Sequence, residues 1–386
     1  MKENAMKATK TLLAIALGTA TLGANADMIS DGTFYADVKA RFEAVDADDA
    51  AEAKSANALI ADTAFGYESK DFSGFKFLAE YEVVNAIIEN YAPVTAGFDV
   101  VADPEVREWN RAQVSYKKDG MGAVVGRQRI ILDGARFVGN VGWRANEQTF
   151  DAATFTYAKD GISLQYSYID QVNSILPRFD ADVTDHLLNA SYKVGSGKVT
   201  AYAYLLEDDD TEAKNDTFGV SYAGSTTLDS AKLIYSAEYA TQSTDDFDAT
   251  YMALEAGAVI SGVTLALGNE TLGSDDGNYG FQTPLATKHK FNGWADQFLG
   301  TPASGLSDTY VKAVTKVKGI KLVGFYHMFD AVEGSTDLGS ELDLLAVKKL
   351  DDTFTVGAKA AFYSAGDDAS GKVDTDKFWL WAQAKF

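Results

Sequence analysis

Phe34-Tyr35-Ala36-Asp37-Val38-Lys39-Ala40-Arg41-Phe42-Glu43 decides the fold of this chain. Phe34, Ala36, Val38, Ala40 and Phe42 alternate with Tyr35, Asp37, Lys39, Arg41 and Glu43, so a β-strand here has one apolar face and one charged face. The period of two recurs at Leu59, Ala61, Thr63, Phe65 and Tyr67, and at Phe75, Phe77, Ala79, Tyr81 and Val83. It returns at Ile162, Leu164, Tyr166 and Tyr168, at Phe354, Val356, Ala358, Ala360 and Phe362, and at Phe378, Leu380, Ala382, Ala384 and Phe386. About eighteen such segments fit in the chain, an even number in the range of bacterial membrane barrels. A soluble sandwich alternates too, with its apolar face inward, so alternation alone leaves open which face is inside.

The ends bear on that choice. Lys2, Lys7 and Lys10, the apolar run Thr11 to Gly23 and the small residues Ala24-Asn25-Ala26 read as a secretory signal peptide over 1–26, with the mature chain starting at Asp27. That run is shorter than the roughly 20 apolar residues of a spanning helix, and no later stretch reaches this length. An exported chain without a helical span satisfies its backbone in lipid only as a closed barrel. The last strand ends on Phe386, and a terminal aromatic of this kind resembles the signal read by the barrel-assembly machinery. The expectation is therefore all-β: a transmembrane antiparallel β-barrel of about 18 strands, one domain over 27–386, in the bacterial outer membrane.

Composition agrees. Gly 33, Tyr 19 and Phe 22 against Pro 5 supply turn residues and interfacial aromatics. With Cys 0, disulfide and thiol chemistry are excluded. A net charge of -22 argues against a nucleic-acid partner.

The connections alternate in length. Short turns stand at Lys118-Asp119-Gly120, Lys159-Asp160-Gly161, Gly195-Ser196-Gly197, Ser261-Gly262 and Lys318-Gly319, placed on the periplasmic side. Long loops, placed outside, run from Val45 to Ala56, Asn85 to Val106, Ile131 to Thr149, Asp170 to Asp185, Glu207 to Asp216 and Gly273 to Ser307.

Two of the long loops carry the candidate site. The strand expected from Gly122 to Ile131 and the third outer loop after it hold Arg127, Arg129, Arg136 and Arg144 with Trp143, basic charge against the overall trend. A loop this long inside a compact fold is functional or disordered. Folded into the lumen, its guanidinium groups would form a constriction favouring anions. The other reading is that they pair with Asp133, Glu147 and Asp151 and pin the loop to the wall. Lys288, His289 and Lys290 with Trp294 form a second basic cluster, whose aromatics either stack on sugar rings or tuck the loop against the barrel mouth.

Gly126-Arg127-Gln128-Arg129, Arg136-Phe137-Val138-Gly139-Asn140-Val141-Gly142-Trp143-Arg144, Asn146-Glu147-Gln148-Thr149-Phe150-Asp151 and His289-Lys290-Phe291-Asn292-Gly293-Trp294-Ala295-Asp296 resemble the alginate-export family of outer-membrane barrels. The resemblance implies an eighteen-stranded barrel whose constriction is lined by Arg127, Arg129, Arg136 and Arg144, passing acidic polysaccharide or other anionic solutes.

The acidic runs Glu207-Asp208-Asp209-Asp210, Asp245-Asp246-Phe247-Asp248, Asp275-Asp276 and Asp367-Asp368 lack calcium-loop spacing and read as solvated outer loops, bridged by divalent cations to lipopolysaccharide. His186, His289 and His327 lack zinc spacing, so no metal, cofactor or catalytic residue is expected. The functional expectation is a porin passing small anionic or sugar solutes such as acidic oligosaccharides. Its alternative is a plugged structural or adhesive barrel with acidic surface loops.

Overall fold

Strand β1, Thr33–Ala47, answers the question that alternation leaves open. In the computed structural model, which describes residues 31–48 and 53–386, Phe34 is 80% exposed on the outer wall, while Arg41 is 2% and Glu43 0% exposed inside. Apolar side chains facing outward around a polar interior are the membrane arrangement, the reverse of a sandwich. The expected leader 1–26 lies outside the described residues.

The strands that follow are β2 Ala56–Glu68, β3 Phe75–Asn90, β4 Val106–Lys118, β5 Met121–Gln128, β6 Thr149–Lys159, β7 Ile162–Asn173, β8 Ala181–Val194, β9 Gly197–Glu207 and β10 Lys214–Leu228. Then come β11 Ala231–Thr244, β12 Asp248–Ile260, β13 Val263–Leu272, the two-residue pair β14 Ser274–Asp275 and β15 Tyr279–Gly280, β16 Leu306–Val317, β17 Ile320–Asp330, β18 Asp337–Lys349, β19 Phe354–Ser364 and β20 Thr375–Lys385. Each wall strand pairs antiparallel with the next, β13 pairs β16, and β20 pairs β1, closing an 18-stranded sheet without an edge. No helix among the described residues is long and apolar enough to cross a membrane.

Local chemistry sets the turns. Asp119-Gly120 and Asp160-Gly161 have φ of 52 and 84, and 51 and 84 degrees, the double positive-φ turn that matches strand twist. Inside the wall, Tyr35 lies across Gly66 on the neighbouring strand and Trp381 across Gly357, where any β-carbon would overlap the ring.

Strand ends depart from the expected bounds. β5 stops at Gln128 rather than Ile131, and β3, β7 and β10 run into stretches read as loop. Strands need only about 9 to 11 residues to cross lipid. Beyond that belt nothing demands outward apolar residues, so pairing continues where the sequence pattern fades.

Candidate functional site: two inward loops and the lumen wall

The third outer connection, 129–148 (L3), and the seventh, 273–305 (L7), counting the short link between β11 and β12, fold into the barrel and bind each other. Gly139 N donates to Leu285 O at 2.8 Å, Thr287 N to Ala135 O at 3.0 Å, and Gln148 Nε2 to both Gly139 O and Leu285 O. The Phe137 ring is wedged among Tyr202, Tyr251 and Phe281, with centroids 5.3, 5.1 and 5.9 Å away. Buried backbone groups of irregular loops thus find partners in the other loop, as an interior demands.

Charge holds the tips. Arg144 reaches Glu43 on β1 at 3.1 Å, Asp103 at 3.4 Å and Asp296 of L7 at 2.9 Å. Arg41 pairs with Asp103 and donates to the Trp143 carbonyl. Asp296 also accepts Lys377 Nζ at 2.9 Å and His289 Nδ1 at 2.6 Å. Burial works against the Asp296 carboxylate, yet His289, Lys377 and Arg144 outweigh it and hold its pKa well below the usual range. Burial, opposed by Asp296 and reinforced by Lys359, pushes His289 down to about 3. A neutral imidazole with its proton on Nδ1 therefore leaves Nε2 as an acceptor.

That acceptor takes Lys359 of β19, whose Nζ stands 2.6 Å from His289 Nε2. The same ammonium lies 4.0 Å from the Trp294 ring centroid, 4.2 Å from Trp143 and 5.0 Å from Trp379. Three indole faces and one imidazole thus hold a buried cation. Next to it, Asn292 and Gly293 have φ of 54 and 84 degrees and turn the N–H groups of Trp294 and Ala295 onto Asp343 and Glu341, at 3.2 and 2.7 Å.

The remaining arginines divide. Arg136 is buried on Glu270 at 2.5 Å, with its Nη2 3.2 Å from Asn292 Oδ1 and its plane 4.8 Å from the Phe291 ring. Arg129 forks onto Glu147 and keeps 37% of its side chain exposed to the lumen. Arg127 and Asp151 fall instead in the outward register of Val125 and Ala153, bonded to each other at 2.8 and 3.1 Å. Arg129, two positions on, would share the face of Arg127 if the strand continued, but β5 ends at Gln128 and the chain turns Arg129 into the lumen, so the structure does not bring Arg127 or Asp151 to the L3 tip. Lys290 is exposed, with Nζ 2.6 Å from Gly134 O, while Lys288 is half-buried. Asp133, the third expected partner, takes Lys198 at 3.1 Å instead.

Three cavities adjoin the loops. One of about 480 Å³ is lined by Trp143, Trp294, His289, Lys290 and Lys359, with no carboxylate in its lining. One of about 470 Å³ lies between L3 and strands β1 to β4, and one of about 300 Å³ lies beside Arg136. Sequence reasoning missed Arg41, Glu43, Asp103, Lys359 and Lys377. The signal for Lys359 was available: it is a lone lysine between Gly357 and Ala361 on the inner register of its strand.

No protein-family model and no curated protein sequence matches the chain. Solved structures do match. Pseudomonas aeruginosa OccK9 (OpdG) superposes with a TM-score of 0.75 at 13% identity, covering 93% of this chain and 99% of that one. Acinetobacter baumannii OccAB4 gives 0.71 at 13%, over 94% and 100%. Pseudomonas aeruginosa OpdK, solved with vanillate, gives 0.71 at 12%, over 93% and 99%. The fold is that of the outer-membrane porins. The resemblance to the alginate-export family is thereby corrected, because the barrels that match end to end are Occ and Opd channels. The motifs behind it describe two inward loops that bind each other, which is loop geometry and carries no cargo.

Proposed function

We propose that this barrel is an outer-membrane channel through which small hydrophilic solutes, preferentially anionic, diffuse without any chemical step. The observation that carries the reading is the cavity of about 480 Å³ between L3 and L7. Its lining joins the cations Lys290 and Lys359 to the rings of Trp143 and Trp294 and includes no Asp or Glu. Fixed positive charge beside flat aromatic faces suits a planar carboxylate, which docks its anion on ammonium and its ring on indole. That OpdK was solved with vanillate supports the same class of solute for this fold. Arg129, Arg136 and Arg144 support the site from behind, their carboxylate partners setting where the loops rest; Trp143, Lys290, Trp294 and His289 meet the solute, with Glu147 and Lys288 at the margin.

Bilayer recordings test this. Under a salt gradient the reversal potential is expected on the anion side, and Lys290→Gln with Lys359→Gln should move it toward zero. A clear cation preference unchanged by the double substitution would remove the anionic part of the reading. A second reading, a plugged barrel with acidic surface loops, is favoured by the dense packing of L3 and L7 on the wall; absence of conductance at every voltage would select it. Bridging of the acidic loops to lipopolysaccharide by divalent cations, and reading of the strand ending in Phe386 by the assembly machinery, remain parts of this proposal.

A further inference from the structure

The cavity of about 470 Å³ below L3 has a different character from the one between the loops. Its lining sets Asp62 of β2 and Glu82 of β3, with Lys39 beside Asp62, on one side, and Arg111 and Arg129 with their partners Glu80 and Glu147 on the other. Its size falls within the range of small-ligand pockets, roughly 300 to 1,000 Å³. Both acids face inward and are enclosed, Asp62 at 9% and Glu82 at 4% exposure. They are diagonal neighbours across the β2–β3 ladder, since Asp62 pairs with Val84 and Glu82 with Ala64. Asp62 Oδ1 and Glu82 Oε2 receive no donor from the protein.

A buried carboxylate oxygen without a donor is costly, and two of them side by side call for either a shared proton or a cation between them. Lys39 serves only the far oxygen, Asp62 Oδ2, at 3.3 Å. A metal ion fits poorly beside that ammonium, and no group of three metal-ligating side chains stands among the described residues. A primary ammonium fits better, having three N–H donors and one charge. Across the same cavity, Arg129 forks onto Glu147 and lies 3.6 Å from Glu80, while more than a third of its side chain stays exposed to the cavity.

We propose that Asp62 and Glu82 form an ammonium subsite, and that with Arg129 opposite it the vestibule binds solutes carrying both an amino group and a carboxylate. The class is the small zwitterion, an amino acid or ω-amino acid. This rests on the channel reading for its transport role, while binding at the subsite is measurable without transport.

The test is an equilibrium titration of the detergent-solubilised barrel with three probes of equal carbon count, 4-aminobutyrate, butyrate and butylamine, beside liposome flux of the same three. 4-Aminobutyrate should bind most tightly. Asp62→Asn with Glu82→Gln should weaken it about tenfold, the loss of one charge-assisted contact, and leave butyrate unchanged. Arg129→Gln, which spares the acidic pair, should weaken 4-aminobutyrate and butyrate and leave butylamine unchanged. If 4-aminobutyrate binds no better than butyrate, or the acidic pair's substitution leaves its binding intact, the two carboxyl groups only share a proton and the proposal is overturned. Tight binding without flux of any probe would leave the subsite standing and remove the channel reading instead.

Discussion

Lys359 Nζ donates to His289 Nε2 at 2.6 Å, and this bond ties L7 to the barrel wall through a cation that no carboxylate contacts directly. Ordinary surface ion pairs are screened by salt, whereas a buried ammonium enclosed by rings is screened much less.

Lys359→Met should therefore loosen both loops while the barrel itself stays folded. Each of the three ring contacts contributes about 0.5–2 kcal/mol. Single-channel records should show larger and noisier currents, with the change persisting from low to high salt. Currents identical to the parent protein's would show that the loops rest on their other contacts.

Gly293 offers a backbone test. Its φ of 84 degrees suits glycine, and a β-carbon there would overlap Glu341 Oε2. Gly277 has a similar φ of 77 degrees with nothing nearby. Gly277→Ala should cost about 1 kcal/mol from backbone strain alone. Gly293→Ala should cost more and free the L7 tip, seen as new protease cleavage within 288–298. Equal cleavage of the two variants would contradict the tight fit at Glu341.

The wall of this barrel was readable from Phe34 to Glu43 and its repeats, because lipid on one side and water on the other impose a period of two on every crossing. The two loops of the candidate site were also readable, since their arginines and tryptophans stand out in an acidic chain. Their partners were not. Arg144 meets Asp296 and Arg136 meets Glu270 across the lumen, and no local spacing encodes contacts between residues so far apart in sequence. Arg127 shows the limit from the other side: the alternation that defines β5 places it with Val125 on the outward register, a reading that a motif of clustered arginines overrides.

Arg144 and Arg127 should consequently behave in opposite ways when truncated. Arg144→Met leaves Glu43, Asp103 and Asp296 short of a cation in a buried setting, where breaking such a network costs about 3–5 kcal/mol. Arg127→Met breaks one partly exposed pair, worth about 1 kcal/mol or less. Denaturant unfolding of the two variants in detergent separates them; a similar loss in both would mean that Arg144 is not the residue on which the L3 tip depends.

The pH response follows from His289. Its pKa of about 3 in the folded chain lies below the value of about 6.5 expected when unfolded. Between those values the folded state holds fewer protons, so stability contributed by the neutral ring is complete above pH of about 6.5. It falls as pH drops toward 3, by about 1.4 kcal/mol per unit. Protonated His289 also faces Lys359 and Arg144 as a like charge, with only Asp296 to compensate, so L7 docking rather than the wall should give way first. Trp143 reports the event, being stacked on His289 at 5.3 Å with the planes 10° apart. Tryptophan emission and current noise should be constant from pH 8 to about 6.5 and change progressively below it. His289→Gln, an uncharged side chain in the same place, should flatten the profile; a profile that survives this substitution would assign the acid response to the carboxylates instead.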